Sequence, residues 1–273
     1  MKIGEILKCC ADIKQRGKRY ITNYYNKYNE TDVDFDVKIG SNTIVFCLQE
    51  AFVYRCFFLT SDLYELSELL EQVPTDTVMD YIIKSEVLDT ELDASFLKAG
   101  FNLYSKYQRL TTPVPDNRPK TKLIQLMEKM YNPEIGVKAV ESDASDIYNL
   151  MLEQFDPRGS EILTMSELLD SIRQGRVWIY RVDNEICVLY IYQIEGKKRY
   201  GNMTINKLSA DYLYNVTTNA NNDSLLHNDI RFHYGWIKDD NLKVKKSLQS
   251  QGILDFDGVC NFIYIKNNGG KEK

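Results

Sequence analysis

The chain has 273 residues, 44% of them hydrophobic and 27% charged, with a formal net charge of −5. That length suits one large or two ordinary domains, and that mix suits a soluble globular protein. The acidic balance argues against a general nucleic-acid binder, which carries a basic face, and no apolar run is long enough to span a bilayer.

Further exclusions follow from motifs. The N-terminal segment has no signal-peptide apolar core, so the cytoplasm is the expected location. Cys9, Cys10, Cys47, Cys56, Cys187 and Cys260 are scattered, with no CxxC and no histidine beside them, which argues for free thiols rather than zinc. No HExxH, Walker A loop, GxGxxG or GxSxG is present.

In chain order, 2–29 reads as a helix with Ile3, Ile6, Leu7, Cys10 and Ile13 at helical spacing. The polar run "NETDVD" ends it. "NTIVFCLQ" and "AFVYRCFFLT" read as a strand hairpin. Ser61 is placed to cap the helix "DLYELSELLEQV". "TVMDYIIK" is a strand, "DTELDASFLKAGF" a helix stopping near Gly100, and "FNLYSKYQRLTT" a strand. Three prolines in "TTPVPDNRPK" mark a boundary, and the helix "KTKLIQLMEKMY" follows it.

The second half opens with a strand and a helix, "GVKAVESDASDIYNLMLEQFD", capped by Ser142 or Asp143. "SELLDSIRQG" is a second helix. "RVWIYRVD", "EICVLYIYQIEG" and "RYGNMTINKLS" are three strands joined by hairpin turns. The helix "ADYLYNVTTNANN", the strand "DIRFHYGWI", the helix "NLKVKKSLQSQG" and a closing strand pair around "DFDG" complete the chain. Both halves end as helix, glycine and strands, a sign of internal duplication. The expected domains are 1–112 and 135–273, with a linker and connecting helix at 113–134.

That order resembles the GCN5-related N-acetyltransferase (GNAT) fold. "WIKDDN", "GILDFDGVCNFIYIK" and "VKAVESDASDIYNLM" are similar to its fifth-strand, closing and opening segments. Residues 40–112 resemble a looser second copy. The resemblance implies an α/β (α+β) tandem GNAT-like protein with mixed, mostly antiparallel sheets flanked by helices and a degenerate N-terminal half. It also implies a cleft between two splayed strands, here 200–208 and 229–237, holding the pantetheine of acetyl-CoA or another acyl-CoA. The expected reaction is acyl transfer to a small-molecule or peptide amine, without a metal.

The family's glycine-rich phosphate turn is replaced here by "NKLSADYLYN". Asn206, Leu208, Ser209 and Ala210 occupy it, and they lack the close backbone approach that glycine permits. Leu248 stands where the family commonly has its proton-donating tyrosine, whereas Asn241 matches the family's asparagine. A carrier-borne pantetheine thioester would need no phosphate turn of that kind, which makes a carrier protein a possible partner.

The residues offer Glu195 and His233 as bases and Tyr214 or Tyr212 as a replacement acid. Tyr200, Tyr214, Tyr234 and Trp236 are candidate pocket walls. Asn202, Thr204 and Asn206 alternate toward an open cleft. Each has a plainer reading as turn, core or sheet packing. His227 reads as surface, and "EGKKRY" either as a contact for a carrier protein or a CoA phosphate or, more plainly, as a solvated basic run. Two other functions compete with acyl transfer. One is a non-catalytic GNAT-like binding or scaffold module. The other is an aminoacyl-tRNA-dependent transferase, against which the acidic charge weighs. A homodimer is compatible with all three.

Overall fold

The computed structural model describes residues 1–16, 19–25, 28, 32–117, 119–252 and 256–267. The chain divides into two compact units. One is Met1–Tyr107 together with the C-terminal strand from Gly258, and the other is Gln108–Asp257. Thus the closing strand, expected in the second domain, is counted with the first. Its backbone pairs there, from Cys260↔Ile83 to Ile265↔Val78.

The first unit begins with α1 (Ile3–Arg16), which buries Ile3, Ile6, Cys10 and Ile13. This helix is shorter than the sequence expectation. Gly17 and Lys18 lie outside the described residues, as does part of the "NETDVD" breaker, and Ile21–Thr22 is strand β1. Strands β2 (Asp36–Ile39), β3 (Thr43–Gln49) and β4 (Tyr54–Thr60) follow. Next come α2 (Leu63–Glu71), β5 (Thr77–Ile83), α3 (Thr90–Lys98) and β6 (Phe101–Pro113). Asp62, not Ser61, caps α2 by accepting from the Tyr64 and Glu65 amides at 2.9 and 3.1 Å. The strand order is β2-β3-β4-β5-β12-β6, where β12 is Phe256–Lys266. Phe58, Leu66, Leu70, Met79, Phe96, Phe101 and Tyr264 form its core beneath α2 and α3.

In the second unit α4 (Lys122–Lys129) precedes β7 (Val137–Lys138), α5 (Ala144–Gln154) and α6 (Met165–Arg173). Asp143 precedes α5 without a side-chain cap bond, because its Oδ2 accepts from the Val140 amide at 2.8 Å. Strands β8 (Val177–Val182), β9 (Glu185–Glu195) and β10 (Lys198–Asn206) form an antiparallel meander. Helix α7 (Ala210–His227) leads to β11 (Phe232–Lys238), which pairs parallel to β10. Helix α8 (Leu242–Gln251) ends at Gly252, whose φ of +72° is the left-handed C-cap expected of a glycine. The strand pair expected around "DFDG" is instead the single strand β12, while Ile253, Leu254 and Asp255 lie outside the described residues.

Helix α7 is asparagine-rich for a reason visible in its contacts. Asn215 accepts from the Asn132 amide at 2.7 Å, and Asn219 donates to the Ile135 carbonyl at 2.9 Å. The loop it holds presses Gly136 so close that an added Cβ would stand 2.8 Å from Val216 Cγ2. The adjoining face of α7 buries Val216 and Ala220 against Trp178, Tyr190 and Tyr192. No helix among the described residues is long and apolar enough to cross a membrane.

Candidate functional site

Each unit contains a parallel strand pair that diverges. In the second unit β10 and β11 share only Lys198↔Phe232, Arg199↔His233 and Tyr200↔Tyr234. Beyond that register Gly201–Asn206 and Gly235–Ile237 are no longer paired with each other, so the two strands part there. A bulge between Gly201 and Met203 makes Asn202 an extra residue on β10. Bulges bend a strand and raise its local twist, so the bulge supports the divergence. From Asn202 on, burial alternates: Met203 and Ile205 are buried, Thr204 is exposed, and Asn202 and Asn206 are half-buried. Two glycines face each other here: a Cβ on Gly235 would meet only the Gly201 carbonyl oxygen, at 3.8 Å.

The first unit repeats this geometry with the wedge filled. There β4 and β5 share only Tyr54↔Thr77 and Arg55↔Val78. Farther along, β1 takes the vacated edge of β4 through Ile21↔Thr60 and Thr22↔Leu59. Asn23, 2% exposed, bridges the two strands. Its Nδ2 donates to the Cys56 and Asp80 carbonyls at 3.0 and 2.9 Å, and its Oδ1 accepts from the Phe58 amide at 2.7 Å. Tyr25 Oη donates to the Ile82 carbonyl at 2.6 Å. The first unit's backbone edge groups are therefore spent on its own N-terminal segment.

At the end of the shared register, the rings of Tyr200 and Tyr234 stack with centroids 4.9 Å apart. Tyr234 Oη donates to Glu195 Oε2 at 3.2 Å. Burial, then the Glu195 carboxylate, pushes the Tyr234 phenol up to about 12, so it stays protonated and remains a donor. Glu195 is exposed at the end of β9, so solvent reaches this pair.

His233 lies one residue back and therefore on the other face of β11. Its Nδ1 is 3.4 Å from Arg199 Nη2. Burial, then the Arg199 charge, lowers its conjugate acid from 6.5 to about 3. It is a neutral imidazole near pH 7 and a weak base. Tyr214 lies half-buried on α7, its phenol raised by burial and then by Glu128 of α4. Tyr212 stacks on Tyr180 at 5.2 Å. Trp236 is half-buried on β11, and His227 is exposed in the last turn of α7.

The turn between β10 and α7 is held by Asn206. Its Oδ1 accepts from the Leu208 amide at 3.1 Å, and its Nδ2 donates to the Ser209 carbonyl at 3.2 Å. Leu208 packs into the core under α7. Ser209 stands at the N-cap without a side-chain cap bond, Ala210 opens the helix, and Asp211 lies in its first turn. A carboxylate there competes with any anion for the positive end of the helix. Asn241 spends its Oδ1 on capping α8, accepting from the Val244 amide at 3.2 Å. Leu248 is half-buried on α8. No cluster of potential metal ligands occurs among the described residues.

Two features escaped the sequence reading. Asn23 was lost in a segment read as helix. Arg199 sits in "EGKKRY", read as solvated, yet it is 4% exposed. The signal for its burial is that it opens "RYGNMTINKLS", whose pattern predicts a strand, and the structure pairs it there with Ile194.

No protein-family model matches the sequence, and no curated protein does. Solved structures do match. A GCN5-related N-acetyltransferase from Sphaerobacter thermophilus aligns over 82% of this chain and 76% of its own, at 9% identity and a TM-score of 0.52. A conserved protein of unknown function from Staphylococcus epidermidis aligns over 89% and 98%, at 10% identity and 0.50. A tandem GNAT protein from the clavulanic acid biosynthesis pathway aligns over 96% and 94%, at 10% identity and 0.52. At such identities the likeness concerns the fold alone. The chain has the α/β fold of a tandem GNAT protein.

Proposed function

We propose that the second unit binds a pantetheine thioester between β10 and β11 and transfers its acyl group to an amine. The observation that carries this reading is the parallel register that stops at Tyr200↔Tyr234. A pantetheine arm, with its two amides, suits a wedge where two strands stop pairing with each other. In the transfer the amine nitrogen attacks the thioester carbonyl, the C–N bond forms and the C–S bond breaks. The amine proton passes to Glu195, directly or through water, and the thiolate leaves with a proton from Tyr234 or solvent. Acetyl-CoA, another acyl-CoA or a carrier-borne thioester would serve as the donor, with no metal required.

The turn at Asn206–Ala210 favours the carrier-borne form over free coenzyme A. Its side chains and Asp211 oppose a pyrophosphate at the start of α7. The same turn, together with Leu248, is what a non-catalytic binding module would also have.

Calorimetry on the purified protein with acetyl-CoA, coenzyme A and acetyl-pantetheine tests the reading. Micromolar binding of acetyl-CoA, or of acetyl-pantetheine alone, supports the free or the carrier-borne donor respectively. Binding of none of them overturns acyl transfer and leaves the binding module.

A further inference from the structure

Two arginines are almost wholly buried among the described residues. Arg55, 8% exposed, is paired with Asp80 and, at 2.7 Å, with Glu50. Arg199, 4% exposed, faces no carboxylate among the described residues. Its Nη1 donates to Ser224 Oγ at 3.0 Å, and its Nη2 faces His233 Nδ1. The guanidinium stands 5.3 Å from the ring centroid of Tyr192 and 5.9 Å from that of Tyr190. Its Nε has no hydrogen-bond partner. A guanidinium stays charged in proteins, and a buried charge without a countercharge is strongly unfavourable.

The surroundings are short of acceptors. Because His233 Nδ1 faces an arginine N–H, it accepts, and the neutral ring carries its proton on Nε2. That Nε2 is buried and unpartnered, as is Nδ2 of Asn202, three residues along β10. Among the described residues the cation keeps one unpartnered N–H of its own, and its neighbour His233 adds another. Tyr192 and Ile194, the cross-strand neighbour of Arg199, also line a recess of about 300 Å³ with Arg176, Asp223, His227 and Asn228. Asn228 Nδ2 donates to the Ser224 carbonyl at 3.0 Å, which ties the recess to the Arg199 partner.

We propose that Arg199, with Ser224 and His233, anchors a binding site for a small carboxylate that enters through this recess. A planar fork of N–H donors matches a carboxylate in shape and charge. Arg199 does not itself line the recess; Tyr192, whose ring lies 5.3 Å from the guanidinium, is the wall between them, and the carboxylate would have to pass it. The site lies on the face of β10 opposite Tyr200 and Tyr234, so it stands whether or not the wedge binds a thioester.

Acetate is the probe, with acetamide as its neutral counterpart and inorganic phosphate as a competing anion. Acetate is expected to raise the melting temperature with the logarithmic dependence on concentration of a one-site ligand, at constant ionic strength, and acetamide to leave it unchanged. R199Q is expected to lose the acetate response. In the wild type, the Arg199 Nε–H resonance in ¹H–¹⁵N NMR is expected to move with acetate and to saturate. That titration decides the matter even if R199Q fails to fold. An unmoved Nε–H resonance, or an equal acetate response in folded R199Q, overturns the site. A response to phosphate with none to acetate overturns the carboxylate assignment.

Discussion

Asn23 and Phe58 are bonded to each other in both directions. The Phe58 amide donates to Asn23 Oδ1 at 2.7 Å, and the Asn23 amide donates to the Phe58 carbonyl at 3.4 Å. The side chain thus behaves as one more peptide group in the sheet, while its Nδ2 reaches across to Asp80. Asn23→Ala leaves buried backbone groups on both strands unpaired and should cost about 2–4 kcal/mol. Asn23→Asp should cost at least as much, since a carboxylate cannot donate to the Cys56 and Asp80 carbonyls. Urea denaturation checks both. A change below about 0.5 kcal/mol, the range of ordinary surface substitutions, would show that the segment does not plug the wedge.

The open wedge makes the opposite demand at Gly235. A single added carbon there meets the Gly201 carbonyl only at ordinary contact distance. Gly235→Ala should therefore fold with little loss, whereas Gly235→Leu should fill the wedge while the fold persists. If the wedge holds pantetheine, acetyl-pantetheine binding disappears in the leucine variant and survives in the alanine variant. Circular dichroism and calorimetry on the two variants separate blocking from unfolding.

Much of this was legible in the sequence because local patterns wrote it. The alternation in "EICVLYIYQIE", the stripe in α2 and the glycine closing α8 are short-range signals with physical causes. What was not legible depends on pairing between distant segments. Asn23 acquires its role only when β4 and β5 diverge around it, and Arg199 only when α7 covers it. The strand at Phe256–Lys266 reads identically whichever unit it joins, so its membership in the first was not legible either. At the site, the wedge followed from the resemblance, whereas the Glu195–Tyr234 bond needed the register Lys198↔Glu195 and Lys198↔Phe232.

His233 should make stability depend on pH on the acid side. Its conjugate acid lies near 6.5 in the unfolded chain and near 3 in the native one. Between those values the unfolded state binds the proton and the native state does not, so stability falls as pH falls. The slope should approach about 1.4 kcal/mol per pH unit. His233→Asn should remove that slope between pH 6 and 4 and leave only that of the carboxylates. Equal slopes in the two proteins, read from urea midpoints, would mean that His233 is protonated normally.

Lys266, 7% exposed, caps α2 from a distant strand. Its Nζ donates to the carbonyls of Leu70, Glu71 and Val73 at 2.8, 2.7 and 2.7 Å, using all three of its donors. Helix ends leave such carbonyls unsatisfied, and here no water is needed to meet them. Lys266→Met keeps the aliphatic stem and removes the donors, so the loss isolates the bonds. It should be about 2–4 kcal/mol, with the amides of α2 losing protection against hydrogen exchange first. A loss confined to other elements would assign the role to the lysine stem instead.

The turn before α7 offers the most direct control over donor choice. Ser209 makes no cap bond there, so replacing it by glycine should cost only a few tenths of a kcal/mol. With Ala210→Gly as well, the first amides of α7 become approachable by a phosphate, and Asp211→Asn removes the charge that opposes it. Binding of coenzyme A should strengthen by about 1 kcal/mol, roughly fivefold, while acetyl-pantetheine binding stays constant, because only coenzyme A carries a pyrophosphate. A parallel gain for both ligands would trace the effect to the wedge. A gain for neither would show that the pyrophosphate does not reach α7, and that the donor is held by its pantetheine alone.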